Sequence, residues 1–249
     1  MIIYVIDLLT PLFENTILKK HNINWLIVIG GDGSLTAGLK ISEANGIPIT
    51  GIPASIDNDV YGTDETIGFD TAIDTAIDAI DKIRDTATSF ERIFVIEVMG
   101  RKHGFLALHI AVASGAEFAI LPELKFNINE ICGELIKGKQ RAKSSAIIIF
   151  AEGAGNPYKF AEQIQRKTGL EVRVSSLGYI QRGGAPSARS RILGAQFGIH
   201  AIELVKRKLQ NRVVVIRNGK ITNVPISKIV GKGKSIDTSL YSLLRQLAK

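Results

Sequence analysis

Cysteine and tryptophan occur once each in the 249 residues, and aromatic side chains make up only 6%. A single thiol, Cys132, cannot close an intrachain disulfide, and four scattered histidines beside it offer no zinc-ligand spacing. Disulfide scaffolds and zinc fingers are excluded, and a reducing, cytoplasmic setting is expected. Long apolar runs are missing too. None approaches the roughly 18 residues that cross a bilayer, so no membrane partner is expected. Met1–Asp7 has neither a basic n-region nor a small-residue cleavage site, which argues against export. The sparse aromatics are not interleaved with basic residues, so no nucleic-acid partner is expected.

What is present is an ordinary globular composition, 45% hydrophobic and 22% charged. At about 150 residues per domain, the length suits one large or two modest domains. The formal charge of +7 favours anionic partners, and only Lys137–Lys143 is densely basic. Short β-branched runs bounded by Gly or Pro alternate with segments of helical period, the pattern of parallel βαβ units. Strands are predicted at Trp25–Ile29, Ile47–Ile52, Arg92–Val98, Phe118–Leu121, Ala146–Ala151, Val172–Leu177 and Val213–Arg217. Helices are predicted over Thr66–Phe90, with Ile67, Ile73, Ile77, Ile80 and Ile83 broadly on one face, and over His103–Ser114, apolar nearly all round. Two more are expected at Pro157–Thr168 and Arg189–Leu209, and Asn218-Gly219 reads as a tight turn before Lys220–Thr222.

The clearest chemical signal is Trp25–Ile29 running into Gly30-Gly31-Asp32-Gly33-Ser34 and a helical segment. A helix start there would offer unpaired N–H groups and a positive dipole end to phosphate, with Asp32 placed to hold Mg²⁺. A plain tight turn is the alternative. After the next strand comes Ser55-Ile56-Asp57-Asn58-Asp59, in which one carboxylate can take a substrate proton while the other shapes the site. Standing alone, it would read equally well as an Asx-rich turn. In open α/β sheets ligands lie beyond the carboxyl ends of strands, so the two acidic loops are expected to face one crevice. Met99-Gly100-Arg101 ends a third strand, where a guanidinium can fork onto phosphate. Glu152, Arg173 and Gly178-Tyr179-Ile180-Gln181-Arg182-Gly183-Gly184 follow. Singly, each arginine reads as a surface ion-pair residue, Met99 as core filler and Glu152 as a solvent-facing strand end.

Together and in this order, the Gly30–Ser34, Ser55–Asp59, Glu97–Arg101 and Gly178–Gly184 motifs resemble those of the bacterial ATP-dependent 6-phosphofructokinases, from about Asp7 to the C-terminal end. The resemblance implies an α/β fold of two doubly wound parallel-sheet lobes. It divides the chain into a nucleotide lobe over 1–67, a sugar-phosphate lobe over 68–185, and a segment over 186–249 returning to the nucleotide lobe. It implies transfer of a phosphoryl group from MgATP to the 1-hydroxyl of fructose 6-phosphate in glycolysis. By the same resemblance Asp57 is the catalytic base, Asp32 the Mg²⁺-associated carboxylate, and Gly31, Asp32, Gly33 and Ser34 line the ATP phosphates. Ser55 and Asp59 flank the base, Met99, Gly100 and Arg101 contact the sugar phosphate and the transferred group, and Glu152 bonds sugar hydroxyls. Tyr179 and Arg182 sit at the 6-phosphate, while Arg92 and Arg173 reach the site from a neighbouring subunit of a homotetramer. Arg84, Gly115, Glu117, Arg141 and Lys143 match an allosteric site for an ADP- or phosphoenolpyruvate-type effector. For the basic run the alternative is a solvated face.

Gly33 and Ala54 stand where the family's pyrophosphate users carry an acidic residue and a lysine, so ATP is the expected donor. The chain departs from the family at the front. The leading strand, its Gly-Gly-Asp-x-Pro-Gly-x-Asn turn, and a βα region ending in an arginine near the transferred phosphate have no counterpart. The first βαβ portion of the nucleotide lobe is therefore expected to be missing, with apolar neighbours and ladder groups left open. Tyr179 also replaces the usual histidine and cannot carry positive charge. The rival reading is a non-catalytic sugar-phosphate-binding subunit or an inactive fragment. A lipid or NAD kinase sharing the glycine turn is disfavoured by the arginine set.

Overall fold

The computed structural model describes residues 18, 20–141 and 145–247. In chain order its elements begin with β1 (Leu26–Gly30), α1 (Asp32–Asn45), β2 (Ile49–Pro53), α2 (Phe69–Ser89), β3 (Ile93–Val98) and α3 (Phe105–Ser114). They continue through β4 (Phe118–Ile120), α4 (Ile128–Gln140), β5 (Ala146–Ala151), α5 (Pro157–Thr168) and β6 (Val172–Ser176). The last are α6 (Ala188–Lys206), β7 (Arg212–Arg217), β8 (Lys220–Pro225) and α7 (Thr238–Leu247). Among the described residues no helix is long and apolar enough to cross a membrane. The chain divides into two compact units, one running to Gly68 and resuming over Ala188–Lys234, the other comprising Phe69–Ser187 and the residues from Ser235 on.

The first unit holds a sheet in the order β1-β2-β7-β8, parallel except for the β7–β8 hairpin. Asn218 and Gly219 both take positive φ in its turn, as the sequence predicts, but β8 runs on to Pro225 and makes the sheet mixed rather than wholly parallel. Alternation along β7 fixes the two faces. Val213 and Val215 pack with Leu35 and Ile49 beneath α1, while Val214 and Ile216 pack with Leu193, Phe197 and Ala201 of α6. β2 is buried throughout. β1, equally apolar, has β2 as its one partner among the described strands, and its Ile29 is 57% exposed.

The second unit's sheet is fully parallel, in the order β4-β5-β3-β6. β5 is buried at every position, as a strand covered on both faces should be. Ile93, Val95, Ile148 and Phe150 meet Ile131 and Leu135 of α4 and Phe160 and Ile164 of α5. α2 packs on β3, and α3 on β5. The long helix starts at Phe69 rather than Thr66, because Thr66 donates its hydroxyl to the Ser55 carbonyl at 2.6 Å and Ile67 bridges to Ala54. Its innermost residues are Ala72, Ala76 and Ile80, so small side chains let it approach and the expected Ile73 and Ile77 lie half-buried beside them. α3 is buried nearly all round, and α5 opens at Pro157 and ends at a left-handed Gly169, as read from the sequence, with Asn156 added as its cap.

One boundary differs from expectation. Residues 186–249 do not return to the first unit as a single piece. α7 joins the second, because its apolar face, with Leu244 buried, packs against α3. Lys143, assigned to an effector site, and the start of the chain lie outside the described residues.

Candidate functional site

In the first unit two loops leave the carboxyl ends of adjacent parallel strands, whose register pairs Gly30 with Pro53. The Ala54 amide donates to the Gly30 carbonyl at 2.9 Å, and a Cβ on Gly31 would lie 3.3 Å from that of Ser55, so the loops abut where only hydrogen fits easily. Gly31 caps α1 with no side-chain partner, which leaves first-turn N–H groups for an outside acceptor. Asp32 opens the helix, and around Gly33 an added Cβ would meet nothing within 4 Å. Space, unpaired donors and a dipole end coincide here, the requirements for phosphate.

The second loop carries Asp57, only 7% exposed. Its amide donates to the Ser55 hydroxyl at 3.1 Å, and Asn58, held left-handed at φ 51, donates its side-chain amide to the Asp64 carbonyl at 3.1 Å. Asp59 keeps a buried carboxylate oxygen, Oδ1, that has no hydrogen-bond partner among the described residues. A buried acceptor of this kind calls for a donor from solvent or ligand. No cluster of three or more metal-ligating side chains occurs among the described residues. A Mg²⁺ that takes one or two carboxylates, phosphate oxygens and water does not need one, and Asp32 beside the open Gly33 fits that donor set.

In the second unit β5, β3 and β6 end side by side, and their carboxyl-end loops enclose a cleft of about 370 Å³. Glu97, Met99, Arg101, Glu152, Ser176, Tyr179 and Arg182 contribute to its lining. Glu152 Oε1 accepts from the main-chain amides of Gly100 at 3.1 Å and Arg101 at 2.5 Å, which fixes both the carboxylate and the strand-end turn. That turn needs φ of +139° at Gly100 and +53° at Arg101. It passes so close to Gly153 that a Cβ there would meet the Arg101 carbonyl at 2.3 Å. The Arg182 guanidinium stacks 5.0 Å from the centre of the Tyr179 ring, which is 78% exposed. Two guanidinium groups beside a tethered carboxylate can hold a phosphate and hydroxyls together.

A family model described as Phosphofructokinase matches residues 14–205. The chain belongs to the phosphofructokinase family. Proteins of Bacillus velezensis and Bacillus subtilis named ATP-dependent 6-phosphofructokinase are 48% identical over 231 residues, which span 93% of this chain and 72% of theirs. A phosphofructokinase structure from Saccharomyces cerevisiae superposes with a TM-score of 0.80 at 30% identity, covering 93% of this chain and 35% of that one. A pyrophosphate-dependent phosphofructokinase from Marinobacter aquaeolei shares the fold, with a TM-score of 0.80 at 20% identity over 94% of this chain.

The other residues assigned from the phosphofructokinase motifs lie elsewhere in the second unit. Arg92 and Arg173 both pair with Glu171, at 2.9 and 2.5 Å, beside the amino ends of β3 and β6 and so away from the cleft. Arg84 donates to the Ser114 carbonyl at 2.6 Å, and Gly115 closes α3 in the left-handed region. Glu117 accepts from the Ile147 amide at 2.6 Å, while Arg141 caps α4 and is exposed. The motifs do not disclose every participant. Gln181, fully buried, accepts from the Met99 amide at 2.9 Å, and Glu97 accepts from the Ser176 hydroxyl at the cleft wall. Both lie inside motifs named above without having been given a role there, and a polar residue in an otherwise apolar strand could have flagged Glu97.

Proposed function

We propose that this chain transfers the γ-phosphoryl group of ATP to the 1-hydroxyl of fructose 6-phosphate, giving fructose 1,6-bisphosphate and ADP, as a step of cytoplasmic glycolysis. The carrying observation is the second unit's cleft, where Arg101 and Arg182 accompany a Glu152 carboxylate tethered by two main-chain amides. Such a set suits a phosphorylated sugar. The 48% identity to proteins named ATP-dependent 6-phosphofructokinase supports the same reaction.

In this reading Asp57 takes the proton as the 1-hydroxyl oxygen attacks the γ-phosphorus, and the buried loop keeps bulk water from competing for it. The amides at the start of α1 receive donor phosphates, with Gly33 leaving room for the nucleotide. Asp32 is the carboxylate that would hold Mg²⁺, with Asp59 Oδ1 available to bound water. When present, the ion neutralises charge developing on the phosphoryl oxygens. Arg101 and Arg182 hold the 6-phosphate and Glu152 the sugar hydroxyls. We assign Arg92 and Arg173 to a neighbouring copy's site in a homotetramer. Arg84, Gly115, Glu117, Arg141 and Lys143 we assign to an ADP- or phosphoenolpyruvate-type effector.

The test is ADP release by the purified chain given MgATP, with and without fructose 6-phosphate, against an Asp57→Asn control. Sugar-dependent turnover above the control is expected. A second reading, a sugar-phosphate-binding subunit without turnover, draws on the half-exposed β1 from which the donor loop emerges. Binding of fructose 6-phosphate by a folded preparation that releases no ADP would favour it.

A further inference from the structure

The loop between Asn58 and Asp64 is held at several points in the first unit. The Asp64 amide donates to the Ile216 carbonyl at 2.8 Å, Asp64 Oδ2 accepts from the Asn218 amide at 2.6 Å, and Arg217 Nε donates to the Gly62 carbonyl at 2.7 Å. These bonds attach the far end of the loop to β7 and its hairpin. The near end, next to Asp57, is held differently. Lys234 Nζ donates to the Asn58 carbonyl at 3.0 Å and to the Asp64 carbonyl at 3.2 Å. One ammonium thus joins both ends of the loop from a position 176 residues along the chain. Gly231, at φ +74°, turns the chain just before it, and Lys232 places its Nζ 5.5 Å from the centre of the Tyr61 ring on the same loop.

We propose that Lys234 is a positioning residue for phosphoryl transfer, its ammonium clamping the two ends of the Asn58–Asp64 loop so that the Asp57 and Asp59 carboxylates keep their places. The proposal rests on the reading of Asp57 as the proton acceptor. The geometry gives it a mechanism. The Asn58 carbonyl belongs to the peptide group that links Asn58 to Asp59, and Asn58 sits in a left-handed conformation that an unpinned chain would leave readily. Releasing that carbonyl loosens the peptide group leading to Asp59, while the Asn58 side chain keeps its bonds to the Asp64 carbonyl and the Thr66 hydroxyl. Burial pushes the Lys234 amine down to about 8, opposed by the attraction of Asp64, Asp59 and Glu65.

The experiment combines amide hydrogen exchange over residues 55–67 with steady-state kinetics in MgATP and fructose 6-phosphate. It compares wild type, Lys234→Met, and Lys234→Cys before and after treatment with 2-bromoethylamine. That reagent rebuilds an ammonium of nearly lysine length, and treated wild type controls for the buried Cys132. In Lys234→Met, exchange over Asn58–Asp64 is expected to rise about ten-fold while β2 and β7 keep their protection. The turnover number is expected to fall on the order of 10- to 100-fold, with the KM for fructose 6-phosphate within about two-fold. Untreated Lys234→Cys should match Met, and treatment should restore both readouts. If Met unfolds the unit, the treated and untreated Cys pair carries the same comparison. Unchanged exchange at 58–64, exchange rising equally in β2 and β7, or faster loop exchange with full turnover each overturns the proposal. If wild type shows no sugar-dependent turnover, the assigned activity fails and the exchange measurement still decides the clamp.

Discussion

The two sheets present their chemistry in the same way and support it differently. Each sends its candidate residues out at the carboxyl ends of neighbouring parallel strands, where main-chain groups are free to meet a ligand. In the second unit those strands include β3 and β5, flanked on both sides, and the loops are bonded directly to one another, Glu152 to the Gly100 and Arg101 amides and Gln181 to the Met99 amide. In the first unit one of the two loops leaves β1, an edge strand among the described residues, and the other is tied down from β7 and from Lys234. In the proposed reading the chemistry divides along the same line. The first unit offers carboxylates, Asp32, Asp57 and Asp59, for a metal and a proton, whereas the second offers Arg101 and Arg182 for phosphate. The cleft's loops brace one another, whereas the Asp57 loop adds to its own bonds a brace from β7 and from Lys234.

The sharpest way to break this division is Asp57→Asn. Removing a proton acceptor from the first unit should cost about 10²- to 10⁴-fold in sugar-dependent ADP release. Fructose 6-phosphate affinity, measured calorimetrically, should change by less than about three-fold. Equal losses in both would mean that the carboxylate binds sugar and that the units do not divide the work.

Next in size is a stability effect confined to the first unit. The folded chain holds the Lys234 amine at about 8, against 10.5 for a free lysine, so between those values the unfolded chain binds more protons. Stability from this group therefore rises with pH across that window, by at most about 3 kcal/mol, and is flat below it. Urea midpoints at pH 7 and pH 10 should show the difference between wild type and Lys234→Met moving in favour of wild type at the higher pH. A constant difference would remove the lysine from the buried setting described for it.

Glu152→Ala probes the second unit alone. It leaves the Gly100 and Arg101 amides without their acceptor and loosens a turn held in the left-handed region. Losing the sugar-hydroxyl contacts assigned to this carboxylate, at about 1.5–3 kcal/mol for a hydrogen bond to a charged group, together with a loosened turn, should weaken fructose 6-phosphate binding roughly ten- to a hundred-fold. MgATP binding in the absence of sugar, followed by quenching of a fluorescent nucleotide analogue, should not move. A matching loss there would show that the cleft supports the donor site as well.

How far these arrangements were legible in the sequence depends on what carried the information. Strands such as Ala146–Ala151 were legible because burial on both faces leaves a run with no polar residue, bounded by loop residues. The motif residues were legible because strand-end loops hold them together in the chain. The inner face of α2 was not, since Ala72 and Ala76 carry the closest packing and the isoleucines beside them dominate any hydropathy pattern. α4 was hidden under its lysines, because only Ile131, Cys132 and Leu135 reach the core. Lys234 was beyond reach for a different reason. Its acceptors are main-chain carbonyls, which every residue possesses, so no side-chain pattern marks the contact.

The smallest effect is expected at Tyr179, which by the motif resemblance takes the place of a histidine. The ring is largely exposed on the cleft wall with the Arg182 guanidinium stacked against it, so the hydroxyl can donate one hydrogen bond to a phosphate but adds no charge. Tyr179→His exchanges that contact for an imidazole that is cationic below its usual titration near pH 6.5 and neutral above it. A charge-assisted hydrogen bond exceeds a neutral one by about 1 kcal/mol, so fructose 6-phosphate should bind about five-fold more tightly than to wild type at pH 6, with the gain gone by pH 8. Calorimetric titration at the two pH values checks this. A gain that persists at pH 8 would point to the loss of the tyrosine ring as its cause. No gain at pH 6 would mean that Arg101 and Arg182 already satisfy the phosphate, which would make the second unit's cleft complete without a third cation.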